Sequence, residues 1–332
     1  MKTTPGLQPF PDLGRPIVIA HRGACAYLPE HTLAAKAMAH AMGADYIEQD
    51  VVLSRDGVPL VLHDIQLDCT TDVAARFPER AREDGRYYAA DFSLEEIRRL
   101  QLHERTPPGS NRQVYPGRFP HGAARFGVPT LAEEIELIAG LDHSRGRQTG
   151  LYVELKSPNW HLRQGLDIVP AVMDVLSATG YAQRSDQVFL QCFDDRTLRR
   201  LRDEIRTPLP LIQLIAEKDW GEDSELDYEQ LRTPAGLDRV AAYADGIGPW
   251  LQHIYLGRDA AGDARCSDLV QEARARGLQV HPFTFRSDEL PPGIGSFEEL
   301  LDIFVDQEGC DGLFTDFPDL VLDYLQRGEQ GA

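Results

Sequence analysis

Tyr46-Ile47-Glu48-Gln49-Asp50-Val51-Val52-Leu53, followed at once by Ser54-Arg55-Asp56-Gly57, is the stretch that decides the fold class. The apolar, β-branched run reads as a strand. The tetrapeptide after it is a turn signal, since Gly takes positive φ at no steric cost. The turn folds Pro59-Leu60-Val61-Leu62-His63 back along that strand. Working outward, strand-like runs recur at 17–20, 151–155, 188–192, 209–215, 244–247, 278–285 and 312–315, which with 46–53 makes eight. Helical patterns at 33–42, 131–139, 168–178, 197–205, 269–276, 297–305 and 320–325 separate most of them. Alternation of this kind predicts a parallel sheet, and eight repeats predict closure into a (β/α)8 barrel. An open doubly wound sheet is the alternative, but no G-x-G-x-x-G follows any strand.

One stretch breaks the rhythm. Residues 65–128 are rich in charge, Pro and Gly, with a helical signal near 94–100, and read as an insertion cap after the second strand and its hairpin. An insertion that long in a barrel loop is usually functional. Without a linker or repeat, residues 1–332 read as a single catalytic barrel domain with the insertion inside it.

The formal net charge of −19 argues against nucleic acid and against anionic membrane surfaces as partners. It also requires that any site for an anionic substrate be locally positive. No apolar run approaches the roughly 20 residues of a membrane helix, so stable membrane insertion is not expected. Met1-Lys2-Thr3-Thr4-Pro5 has neither an apolar core nor a cleavage site. The expectation is a cytoplasmic protein if Met1 is native, or a periplasmic one whose signal has been removed. The five cysteines lack C-x-x-C spacing and read as reduced thiols. A homodimer is compatible with the sequence, and no segment demands one.

Strand C-terminal ends form the active face of a barrel. The first strand ends in His21-Arg22-Gly23, the second carries Glu48 and Asp50, its hairpin partner ends in His63-Asp64, and the third carries Glu154 and Lys156. Residues two apart in a strand share a face, so three carboxylates, Glu48, Asp50 and Glu154, converge if that face points into the barrel mouth. A single buried carboxylate usually forms a salt bridge. Burying three without a cation is costly, and hard oxygen ligands suit Ca²⁺ or Mg²⁺ rather than zinc. His21 and His63 flank this cluster beside Arg22 and Lys156, which supplies acid, base and phosphate-binding cations for phosphodiester hydrolysis. Phe193, Phe283 and Phe285 are candidates for an apolar wall against a glycerol backbone. Of the other histidines, His31 sits at a helix start and could orient the first loop; His103, His121, His143 and His161 are expected to be solvated; His253 has no assignment; and His281 is expected to pack.

His21-Arg22-Gly23-Ala24, Pro29-Glu30-His31-Thr32, Gly43 through Asp50 and Leu62-His63-Asp64 together resemble the glycerophosphodiester phosphodiesterases. The resemblance continues through Tyr152-Val153-Glu154-Leu155-Lys156, His281-Pro282-Phe283-Thr284 and Gly312 through Pro318, and so covers nearly the whole chain. Glu30-His31 and the long insertion are most similar to the bacterial periplasmic branch. The resemblance implies a barrel of the phospholipase-C-like phosphodiesterase type, with metal held by Glu48, Asp50 and Glu154. It further implies His21 as base, His63 as acid, and phosphate held by Arg22 and Lys156. Ca²⁺ is the expected ion, with Mg²⁺ as the alternative. The substrate would be a small glycerophosphodiester such as glycerophosphocholine or glycerophosphoethanolamine, cleaved to glycerol 3-phosphate and an alcohol. Cys69 stands where the family usually has arginine, and Cys192 where it has a small hydroxyl residue. The alternative is a phospholipase D or phosphatidylinositol phospholipase C type enzyme acting on intact lipid. That would favour exposed rim aromatics, whereas Trp160, Trp220 and Trp250 are far apart in this acidic sequence. An inert binding module is disfavoured because both histidines are present.

Overall fold

The alternating strands and helices close on themselves. In the computed structural model, which describes residues 13–331 with side chains through 328, the strands are β1 Ile17–Ala20, β2 Tyr46–Leu53, β3 Pro59–Val61, β4 Gly150–Leu155, β5 Val188–Cys192, β6 Leu211–Ile215, β7 Gly246–Pro249, β8 Tyr255–Arg258, β9 Ala264–Cys266, β10 Gln279–Val280 and β11 Gly312–Thr315. The main sheet runs β10-β7-β6-β5-β4-β2-β1-β11, parallel throughout, with β3 antiparallel to β2 through Val51↔Val61 and Leu53↔Pro59. A parallel bridge from Phe285 to Thr315 joins the β10 and β11 ends, so eight parallel strands form a nearly closed barrel. The reading of Met1–Pro5 concerns residues outside those described.

Period-2 alternation sorts the side chains. Val18, Ile47, Val51, Val153 and Leu155 face outward into the main core shared with the helices. Ile17, Ile19, Tyr46, Tyr152, Phe189 and Phe314 face inward and fill the barrel floor. Gly150 is required there, because a Cβ would fall 2.1 Å from the Tyr46 ring. Above that aromatic floor, the same inward faces of β2 and β4 carry Glu48, Asp50 and Glu154.

The first helix, α1 Leu33–Met42, starts where Thr32 accepts from the Ala35 N–H at 3.1 Å and ends at Gly43, whose φ of +103° suits a residue without Cβ. The segment between β3 and the helix Leu131–Arg145 has a small core of its own, in which Leu67, Phe77, Phe92 and Leu100 pack against Val52, Leu60 and Leu62, on the hairpin face opposite Val51 and Val61. Features absent from the sequence reading include the helices Pro158–Arg163 and Pro234–Val240, and the small β8–β9 hairpin. Each is too short for its periodicity to stand out. All five cysteines are free. Among the described residues no helix is long and apolar enough to cross a membrane.

Candidate active site

The strand ends meet in a cavity of about 360 Å³ lined by His21, Arg22, Glu48, Asp50, His63, Glu154, Lys156, Phe193 and Phe283, so of the residues proposed from the sequence all but Phe285 reach one space. The parallel register sets Asp50 directly opposite Glu154, and the nearest carboxylate oxygens of Glu48, Asp50 and Glu154 all lie within 4.8 Å of one another.

Each carboxylate is partly held. Glu48 accepts the Arg22 backbone N–H at 2.9 Å and Gln191 Nε2 at 3.0 Å. Asp50 Oδ2 accepts from His31 Nε2 at 2.7 Å, while its Oδ1 has no hydrogen-bond partner among the described residues. Lys156 Nζ lies 2.8 Å from Glu154 Oε1, close enough for an ion pair though not aligned for a hydrogen bond. Burial and Asp50 push the Glu48 carboxyl up to about 8, and burial raises Glu154 well above the carboxylate range. Without a cation these groups cannot all ionise, whereas a divalent ion would let them do so. The donor set therefore fits a hard cation. A second cluster, His21, Cys25 and Asp316, is less suited, because Asp316 is already neutralised by Arg118 at 2.7 Å and Arg286 at 2.8 Å.

Both histidines are anchored by carboxylates. His21 Nδ1–H donates to Asp316 Oδ1 at 2.6 Å, and His63 Nδ1–H to Asp64 Oδ1 at 2.5 Å. That fixes each tautomer with Nε2 toward the cavity. For His21, burial and then the Arg22 charge lower the pKa to about 4; for His63, a third of whose side chain is exposed, partial desolvation followed by the Arg22 and Lys156 charges acts in the same direction. Both rings are neutral near pH 7. The Lys156 charge is retained by Glu154 and Asp50 against the effect of burial. Arg22 pairs with Glu30 at 3.1 Å and adopts a φ of +57°, a strained conformation for a non-glycine residue; this conformation also presents its N–H to Glu48.

Residues 21–320 match the Glycerophosphoryl diester phosphodiesterase family. The chain belongs to that family. It is 41% identical over 326 residues to the glycerophosphodiester phosphodiesterase of Haemophilus influenzae, spanning 93% of this chain and 90% of that one. It is 37% identical over 325 residues to the Treponema pallidum enzyme of the same name, spanning 93% and 91%. A Silicibacter pomeroyi structure superposes with a TM-score of 0.72 at 25% identity, covering 98% of this chain and 97% of its own. An Oleispira antarctica phosphodiesterase, solved with the product sn-glycerol-3-phosphate, shares the fold with a TM-score of 0.63 at 21% identity, covering 94% and 98%. The activity is that of a glycerophosphodiester phosphodiesterase.

Several expectations need correction. His161 is fully buried rather than solvated, and neither ring nitrogen has a hydrogen-bond partner among the described residues. It lies on the inner side of the helix Pro158–Arg163 that the sequence reading lacked. His103 is half-buried against His121, with ring centroids 4.3 Å apart, whereas His121 and His143 are exposed as expected. Phe285 is 0% exposed and packs on Phe304, away from the cavity. Distance in sequence was no guide for the tryptophans, since Trp220 and Trp250 meet at 5.3 Å and line the cavity with Phe283. His281 packs as expected, bonding the Tyr152 hydroxyl at 2.8 Å, and His253 pairs with Glu217 at 2.7 Å. The residues missed by sequence reasoning are the supports: Asp316, Arg286, Gln191, Arg105 and Arg118. Asp316 and Gln191 left a signal, one just past the eighth predicted strand and the other inside the fourth.

Proposed function

We propose that the protein is a metal-dependent hydrolase of small glycerophosphodiesters, yielding glycerol 3-phosphate and an alcohol, with His21 and His63 as its acid–base pair. One observation carries this reading: two carboxylate-anchored histidines present Nε2 to the cavity that also holds three carboxylates, Arg22 and Lys156. Glu48, Asp50 and Glu154 would hold Ca²⁺, or Mg²⁺ in its place. When bound, the ion supplies Lewis-acid polarisation of the phosphate and offsets charge in the transition state.

Arg22 and Lys156 hold the non-bridging phosphate oxygens. Neutral His21, nearly enclosed and fixed by Asp316, takes the proton of the attacking group, which is either water itself or a glycerol hydroxyl whose cyclic phosphate water then opens. His63, whose side chain is 32% exposed, is the better placed to draw a proton from solvent and pass it to the leaving alkoxide. Phe193 and Phe283, with ring centroids 6.2 Å apart, form the wall for the glycerol carbons. The unit is one catalytic barrel with residues 65–128 as its cap, and its partner is a small molecule. Analysis of the products from glycerophosphocholine tests the reading. Glycerol 3-phosphate and choline are expected, whereas phosphocholine and glycerol would contradict it.

A further inference from the structure

A second chamber, of about 200 Å³, opens from the catalytic one and shares His21, Arg22, His63 and Arg286 with it. Its far wall comes from the cap, where Glu104, Tyr115 and Arg118 line it and Val114 stands 43% exposed. The two chambers therefore diverge from the point where the phosphate would sit, and a phosphodiester has two arms.

The charges lining the second chamber are engaged, with one exception. Arg105 bonds Glu30 and Asp64, Arg118 bonds Asp288 and Asp316, and Arg286 bonds Asp316. Glu104 is 4% exposed, and among the described residues it forms no ion pair and its Oε1 has no hydrogen-bond partner. A buried carboxyl with a bare oxygen is costly unless a ligand supplies the missing group. Burial, reinforced by Glu30, lifts Glu104 to about 8, so near neutrality it carries a proton and can both donate and accept. Such a group suits a hydroxyl. A quaternary ammonium, by contrast, would compete with guanidinium charge for the ring of Tyr115, whose centroid lies 3.8 Å from Arg118 and 5.7 Å from Arg286.

We propose that this chamber takes the leaving-alcohol half of the substrate and that Glu104 selects a hydroxylated alcohol over a quaternary ammonium one. The proposal rests on the hydrolase reading above. Glu104 contacts the alcohol arm and leaves the phosphate to Arg22 and Lys156.

The test compares glycerophosphoglycerol with glycerophosphocholine for the wild-type protein and for Glu104→Leu and Glu104→Gln. The wild type is expected to favour glycerophosphoglycerol by about 10-fold in kcat/KM, the equivalent of one buried hydrogen bond. Glu104→Leu should erase that margin through KM while leaving glycerophosphocholine within about 3-fold, and Glu104→Gln should keep most of it. Equal losses on both substrates in Glu104→Leu would overturn the assignment. So would a wild-type preference for glycerophosphocholine, which needs no variant to be read. Failure of the wild type on every glycerophosphodiester would instead sink the hydrolase reading on which this one stands.

Discussion

Arg105 Nη1 lies 2.6 Å from Asp64 Oδ2, so a side chain of the insertion holds the carboxylate that orients His63. The same guanidinium reaches Glu30 at 2.6 Å, and Glu30 pairs with Arg22. Arg118 does the equivalent for His21, with Nη2 2.7 Å from Asp316 Oδ2. The cap therefore completes the surroundings of both candidate acid–base residues.

Replacing Arg105 by Gln should leave Glu30 and Asp64 short of a cation. A stability loss of about 2 kcal/mol is expected, between the values for exposed and fully buried pairs. Because the substitution disturbs His63 more than the phosphate contacts, kcat should fall further than KM rises. Denaturant unfolding together with steady-state kinetics checks both, and an unchanged kcat would separate the cap from the acid–base pair.

His63→Ala should lower turnover by about 10²–10⁴, the usual worth of a positioned acid or base. Binding of Ca²⁺, followed by calorimetry, should be nearly unchanged, since His63 is not among the three clustered carboxylates. Turnover retained in this variant would remove His63 from the mechanism.

Glu154→Gln removes one of the three clustered charges. Ca²⁺ should raise the unfolding free energy of the wild type by about 2.7 kcal/mol at 100-fold excess over Kd. The variant should need at least about 10-fold more ion for the same gain. Equal thermal shifts in the two proteins would take Glu154 out of the metal shell.

His281 is 1% exposed, and its burial lowers the pKa to about 4. The folded state therefore disfavours the proton that the unfolded chain binds below about 6.5. Stability from this group is present above pH 6.5 and is lost as pH falls toward 4, at about 1.4 kcal/mol per pH unit. His281→Leu should flatten the dependence of unfolding free energy on pH over that window by one proton relative to the wild type. Parallel slopes for the two proteins would mean that His281 is not held neutral.

The eight strand runs, the hairpin turn and the convergence of Glu48, Asp50, Glu154 and Lys156 were legible because strand periodicity places every second side chain on one face. That rule acts over a few residues. It could not show that Arg105 and Arg118, deep in a loop-rich insertion, return to Asp64 and Asp316, since such pairings depend on tertiary contact alone. Trp220 and Trp250 were misjudged for the same reason. His161 was misread because a six-residue helix, Pro158–Arg163, offers less than two turns of periodicity to betray its buried face.

The most direct measurement is glycerol 3-phosphate release from glycerophosphodiesters by the wild-type protein after chelation, with Ca²⁺ or Mg²⁺ then returned separately. The account predicts that chelation abolishes release and that one of the two ions restores it. Release that persists undiminished in the chelated protein would contradict a catalytic centre built on Glu48, Asp50 and Glu154.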